Sequence, residues 1–258
     1  MRLTAGVVQF PDLAEDLDVA VRDGQLAAVF QPQIDLGSGR IVAVEGLCRW
    51  VHPRHGPIAP DEFIPLAEST GAIHGIGRFM IDECIAAADR WSSVAARIGV
   101  SVNVSPLQLT ARFADELRDR WRRCELPDDA LTLEITESLP VTDLEASVPR
   151  LAALREVGIG ISLDDYGTGH ASIAQIDRLP VTEVKLDRSL IQSYASSPAD
   201  EIANVVAFAH DRELRVVAEG IESVDQLDFA RDVGCDRAQG YLLGNPMPAT
   251  WIEELLSA

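Results

Sequence analysis

Apolar and polar positions alternate along this chain in two rhythms. Eight short runs rich in Val, Ile and Leu read as strands: Ala27–Leu36, Ile41–Trp50, Gly99–Ser105, Leu131–Glu137, Gly158–Asp165, Val181–Asp187, Arg215–Ile221 and Cys235–Leu243. Between them, Ile76–Ala96, Asp143–Val157, Asp200–His210 and Ser223–Val233 carry apolar residues at three- and four-residue spacing, the helical rhythm. Ala14–Arg22 reads as an N-terminal helix and Thr250–Leu256 as a C-terminal one. The first two strands are separated only by Gly37-Ser38-Gly39-Arg40. That is hairpin chemistry, so they should run antiparallel. Every later gap is long enough for a crossover helix, and strands alternating with helices predict a mostly parallel sheet. Eight strands in about 250 residues is the barrel count. The expected fold is α/β, a (β/α)8 barrel of TIM type modified by one antiparallel strand. The competing open doubly wound sheet usually carries a glycine-rich phosphate turn after its first strand, and none is present. With no linker, low-complexity tract or repeat, residues 1–258 read as a single domain, with a helical lead-in over 1–26 and a barrel core over 27–248.

Charge narrows the partners. Asp and Glu number 41 against 22 Lys and Arg, a formal net charge of −19. This excludes a general binder of nucleic-acid polymers, whose affinity comes from cations on phosphates, and a polybasic membrane anchor. It does not exclude one small anionic ligand. No apolar run reaches the length of about 18 residues that a membrane span needs, and no basic-then-apolar leader opens the chain. The four cysteines, Cys48, Cys84, Cys124 and Cys235, form no C-x-x-C pair and no thiolate zinc pattern. A reducing cytoplasmic setting is expected, with Cys48 and Cys235 as buried thiols.

Polar residues interrupt the strands where a parallel barrel places its active site, at the strands' C-terminal ends. Strand by strand these are Glu45; Asn103; Glu134, Thr136 and Glu137; Asp164 and Asp165; Lys185; Glu219; and Gln239. Any one of them could be a hydrogen-bonded strand end, but together they would converge on one rim. Carboxylates packed closely repel and raise one another's pKa, a conflict that a divalent cation removes. Oxygen ligands suit Mg2+ or Mn2+. Side chains alternate along a strand, so Asp164 and Asp165 can share a site only where the strand turns into its loop. Tyr166-Gly167-Thr168-Gly169 would allow that turn before a helix-like His170–Arg178. Lys185, in an apolar stretch, needs carboxylates or phosphate nearby.

These residues carry a resemblance. The chain resembles the EAL domain family, bacterial cyclic di-GMP phosphodiesterases, from about Ala27 to Pro248. The signature tripeptide stands as Glu45-Gly46-Leu47, followed by SVNVSP (101–106), LEITES (133–138), LDDYGTGHAS (163–172), LPVTEVKLDRSLI (179–191), VVAEGIES (216–223) and QGYLLGNPMP (239–248). The resemblance implies metal-dependent hydrolysis of cyclic di-GMP to linear pGpG by a water activated at two Mg2+ or Mn2+ ions. It implies that Glu45, Asn103, Glu134 and Asp164 hold a first metal and that Asp164 and Asp165 help hold a second. Lys185 would contact the attacking water or the phosphate. Glu219 would be the essential glutamate, as general base or metal-site carboxylate. Gln31, Leu47 and Arg49 would touch substrate, Arg49 at a phosphate. Asp165, Lys185, Glu222 and Gln239 would complete the substrate site by water, metal or ligand contacts, and Glu137 would anchor the Asp-Asp loop. A homodimer is implied, as is the presence of sensor or cyclase domains beside such a domain in longer chains. No Ser-His-Asp or Cys-His arrangement is needed, because paired cations can clamp the phosphate and activate water.

The chain departs from the family pattern at Gly46, where Ala is usual, at Tyr166, where Phe is usual, and at His170, where an aromatic is usual. None of these removes a proposed ligand. The alternative function is a catalytically weak or inactive EAL domain that acts as a cyclic di-GMP receptor or protein-interaction module. Among weaker features, His52 and His55 lie in a Pro/Gly-rich loop without a third ligand, His74 and His210 read as helix caps or packing, and Trp50, Trp91, Trp121 and Trp251 read as core or helix-interface residues.

Overall fold

β1 (Leu26–Asp35) and β2 (Ile41–His52) form the antiparallel hairpin that the Gly37–Arg40 turn predicts. The computed structural model describes residues 13–92, 98–136, 141–168, 176–192 and 199–257. β4 (Gly99–Asn103), β5 (Leu131–Thr136), β6 (Gly160–Tyr166), β7 (Glu183–Leu186), β8 (Arg215–Ala218) and β9 (Arg237–Gln239) follow β2 around the sheet, each pairing parallel with the next. β9 then pairs antiparallel with β1, so eight strands close into a barrel with β1 as the antiparallel member. A ninth strand, β3 (Gly56–Ile58), lies outside the ring on β2.

Strict alternation along the strands decides where the core sits. On β5, Leu131, Leu133 and Ile135 are fully buried against the helices, while Thr132, Glu134 and Thr136 take the other face. Ile161 and Leu163 on β6, Val184 and Leu186 on β7, and Val216 and Ala218 on β8 repeat the pattern. The apolar core is therefore the layer between strands and helices. The barrel's inner face is polar, carrying Gln31, Gln33, Glu45, Ser101, Glu134, Ser162, Asp164, Glu183, Lys185 and Gln239, all buried.

Around the barrel run α1 (Leu13–Ala20), α2 (Pro60–Thr70), α3 (Ile73–Ser92), α4 (Ala111–Trp121), α5 (Val141–Arg155), the short α6 (Arg188–Gln192), α7 (Ala199–His210), α8 (Val224–Asp232) and α9 (Ala249–Ser257). The sequence pattern misses three of these, the short α6 and two longer ones. α2 carries Pro60 in its first turn and Pro65 inside it, and two prolines in so short a stretch read as breakers. α4 buries only Ala114, Leu117 and Trp121, a thin apolar stripe in an Arg- and Asp-rich stretch. Its start is fixed by Thr110, whose side chain accepts from the Phe113 backbone N–H at 3.1 Å.

Several other expectations change. β8 stops at Ala218, ahead of Gly220 with its left-handed φ of 66°, not at Ile221. β9 stops at Gln239, because Gly240 lies against the Ile221 backbone so closely that a Cβ there would come within 2.2 Å of it. His52 is not in a loop. It ends β2, is buried, and meets Asp16 at 2.9 Å. Cys48 is only half-buried, whereas Cys84 and Cys235 are buried. Trp50, Trp91 and Trp121 are core residues, but Trp251 is exposed. Residues 1–12 of the lead-in, Glu137 and residues 169–175 of the helix-like stretch lie outside the described residues. Among the described residues, no helix is long and apolar enough to cross a membrane.

Candidate active site

At the C-terminal mouth of the barrel, three carboxylates from strands and Glu219, directly after β8, surround one ammonium. Lys185 Nζ on β7 lies 2.6 Å from Glu219, 3.0 Å from Glu134, 3.2 Å from Asp164 and 3.6 Å from Glu45. Lys185 is the only lysine in the sequence, and its side chain is 1% exposed. Parallel registry sets this up, since Asn103 pairs with Glu134 across β4–β5 and Thr136 with Asp164 across β5–β6. Glu45 accepts hydrogen bonds from Asn103 Nδ2 at 2.7 Å and from Gln239 Nε2 at 2.6 Å.

One ammonium cannot neutralise four carboxylates, and the protonation pattern shows it. Burial opposes the charge of Glu45, yet Lys185, Gln239 and Asn103 outweigh it and hold that carboxyl below its ordinary range. Burial, with the Glu45 and Asp164 charges, pushes Glu134 well above its ordinary range in spite of Lys185. Burial also raises Asp164. It raises Glu219 to about 8, against the pull of Lys185. Burial works against the Lys185 charge as well, but Asp164, Glu134, Glu219 and Glu45 hold its pKa well above the usual lysine value. Neither buried oxygen of Glu134 accepts a hydrogen bond of good geometry. Lys185 is the charge that faces Glu134, and buried carboxylate oxygens short of hydrogen bonds fit a hard divalent cation.

Asp164 and Asp165 are brought together differently from the expectation. β6 does not end at Asp165. It continues to Tyr166 through a bulge between Leu163 and Tyr166, with Asp165 at a left-handed φ of 59° and its N–H donating to Asp164 Oδ1 at 3.0 Å. The kink cancels the alternation that would send the two side chains to opposite faces. Carboxylate oxygens of Asp164, Asp165 and Glu219 then lie within 4.8 Å of one another, a cluster able to chelate a divalent metal.

Two cavities meet at this centre. A cleft of about 440 Å³ is lined by Glu45, Asp164, Asp165 and Glu219, with Lys185, Gln31, Gln239 and Glu222, while Glu134 lies behind it. A more apolar one of about 410 Å³ lies between β2, α2, α3 and β4 and is lined by Arg49, Cys48, Ile64 and Met80. Leu47, Asp61 and Asp165 line both.

The model of the EAL domain matches residues 14–246. The chain belongs to the EAL domain family. This EAL domain is 40% identical over 250 residues to the bifunctional diguanylate cyclase/cyclic di-GMP phosphodiesterase MucR of Pseudomonas aeruginosa, covering 95% of this chain and 36% of that protein. It is 38% identical over 263 residues to the cyclic di-GMP phosphodiesterase NbdA of the same organism, covering 100% of this chain and 33% of that protein. The chain thus spans about a third of the length of these curated relatives. The solved PaMucR phosphodiesterase in complex with c-di-GMP superposes with a TM-score of 0.86 at 39% identity, covering 93% of this chain and 99% of that one.

The signature of this EAL domain lies on β2, with Glu45 facing the centre and Gly46 facing α3. The departure at Gly46 has a packing reason. A Cβ at that position would meet Cys84 Sγ at 2.5 Å and the Ser101 carbonyl at 3.3 Å, so Cys84 fills the room that a methyl group would take. Not every expected site residue joins the carboxylate cluster. Arg49 is half-buried in the second cavity, its guanidinium donating to the Cys48 carbonyl at 2.9 Å, and Glu222 is exposed on the rim. Residues not expected from the sequence also line the cleft: Asp187 and Arg188 directly after β7, Asp61 in the first turn of α2, and Tyr241 after β9. The signal for Asp187 and Arg188 was available, since every rim position follows a strand end. Asp61 had none, because α2 was not legible.

Proposed function

We propose that this domain hydrolyses one phosphodiester bond of cyclic di-GMP to give linear pGpG, with Mg2+ or Mn2+, two per site. The carboxylate cluster on Lys185 at the mouth of an EAL barrel carries this reading. Two adjoining cavities suit a ligand with two nucleotide halves, and the 39% identical PaMucR domain was solved with c-di-GMP.

Glu45, Asn103, Glu134, Asp164, Asp165 and Glu219 are the residues that would hold the cations. When bound, these supply Lewis acidity to the phosphate and to the attacking water. The chain's own residues do the rest. Lys185 keeps its proton and remains a fixed positive charge beside the phosphate. In its ionised form Glu219 accepts the proton of the attacking water through the oxygen not turned to Lys185. Gln31, Leu47, Gln239 and Glu222 line the substrate's path in the cleft, and Arg49 meets its second phosphate from the adjoining cavity. Glu137 anchors the Asp-Asp turn. A homodimer, further sensor or cyclase domains in a longer chain, and a cytoplasmic location complete the proposal, the last supported by four free cysteines.

The test is a hydrolysis assay on purified protein with Mg2+ or Mn2+, the product identified by mass. Linear pGpG is the expected product. A folded, metal-loaded preparation that binds cyclic di-GMP tightly and leaves it intact would replace this reading with that of a receptor.

A further inference from the structure

Behind the centre runs a chain of three buried glutamines. Gln239 Nε2 donates to Glu45 at 2.6 Å and lies 3.1 Å from Gln31 Oε1. Gln239 Oε1 accepts from Gln33 Nε2 at 3.1 Å, and Gln31 Nε2 donates to the Gly244 carbonyl at 3.0 Å. The chain runs between two fixed acceptors, Glu45 and the Gly244 carbonyl, and the amides between them are held by their mutual contacts. Glu45 faces the Lys185 ammonium and accepts from Asn103 Nδ2, so the Gln239 group facing it is the NH2. The Gln239 carbonyl must then face Gln33, and Gln33 must present its own NH2. At the other end, the Gly244 carbonyl turns the Gln31 NH2 toward itself and the Gln31 oxygen toward Gln239. Gln33 is 1% exposed, touches none of the carboxylates in this network, and sits one pleat from Gln31 on β1, paired with Gln239 across β1–β9.

We propose that Gln33 is a positioning residue: by donating to Gln239 Oε1 it locks the Gln239 amide with its donors toward Glu45 and Gln31. Without that lock the Gln239 carbonyl is left unpaired in a buried site and the amide loses one of its three anchors. The shortest hydrogen bond of Glu45 would then be held less firmly, and with it the direction of Glu45 toward the cleft. The consequence for metal and substrate rests on the reading of the centre given above. The lock itself is a property of the protein alone.

The experiment therefore has two readouts. In the metal-free protein, the Gln239 side-chain NH2 is followed by 15N NMR in wild type, Gln33→Met and Gln33→Glu. Wild type should show a downfield, exchange-protected NH2, the mark of a short hydrogen bond to a carboxylate. Gln33→Met should lose that protection, and Gln33→Glu, which offers only acceptors, should lose it further. Thermal melts show which variants are folded, and Gln33→Met carries the test where the buried charge of Gln33→Glu prevents folding. Calorimetry then follows Mn2+ binding. Gln33→Met should weaken it about tenfold, the equivalent of one lost buried hydrogen bond, and should add no further loss in a Gln239→Ala background. An unchanged Gln239 signal in folded Gln33→Met overturns the inference, whatever the protein does with metal. An equal loss of Mn2+ affinity with and without Gln239 assigns Gln33 a merely structural role and also overturns it.

Discussion

Metal binding at this centre should be coupled to proton release. In the metal-free protein Glu219 titrates at about 8, and Asp164 and Glu134 lie above their ordinary ranges. A cation must displace whatever protons these carboxyls hold. At pH 7 a group with a pKa near 8 is about nine-tenths protonated. The Mn2+ association constant should thus rise about tenfold from pH 6 to pH 7 through Glu219 alone, and more steeply as Asp164 and Glu134 contribute. Glu45, already ionised, and Lys185, still charged, add no slope in this range. Titration calorimetry in buffers of different ionisation enthalpy gives both the affinity and the number of protons released. At pH 7 about one proton should leave from Glu219 per binding event, and the Glu219 share should vanish about a unit above its pKa. Equal affinity at pH 6 and pH 8, with no buffer-dependent heat, would refute the reasoning, because it would mean that the carboxyls are already ionised around Lys185.

The same groups set the stability of the metal-free domain. The folded state holds a proton on Glu219 that the unfolded chain releases above the ordinary glutamate range, so stability should fall by about 2 kcal/mol between pH 6 and pH 8; urea midpoints in EDTA that stay level or rise would contradict this. Glu219→Gln should lower kcat by ~100- to 10,000-fold while leaving KM near the wild-type value, and near-native kcat would remove Glu219 from its role. Glu45→Ala and Asp164→Ala should abolish turnover at any Mg2+ or Mn2+ concentration; recovery at high metal would show that neither is essential. Gly46→Ala should cost about 2 kcal/mol by overpacking against Cys84, lowering Tm by about 5 °C, and Gly46→Ala combined with Cys84→Ala should recover most of it. An unchanged Tm in the single variant would show that Cys84 yields freely.

Much of the architecture was legible in the chain. Alternation on β5 and β6, the hairpin at Gly37–Arg40 and the helical rhythm between strands led to a barrel with one antiparallel strand, which the closed ring has. The residue types at the rim were legible as well, because an acid or a lysine in an apolar run stands out. Local pattern could not show α2, where Pro65 masks a helix that is held by packing, or α4, whose three buried residues are too sparse to stand out.

The sequence by itself therefore determined which side chains the strands carry and toward which mouth they lie, since a period of two fixes faces and chain direction fixes ends. Tertiary structure decided their chemistry. Glu45 and Gln239 are 194 residues apart in the chain and 2.6 Å apart in space. That closeness, with Lys185, lowers the pKa of Glu45 against its burial, while burial raises that of Glu134. The bulge that turns Asp165 beside Asp164 and the Gln33 contact that orients Gln239 are decided in the same way. Electrostatic and hydrogen-bond energies depend on distance and desolvation, and those quantities exist only once the barrel has closed.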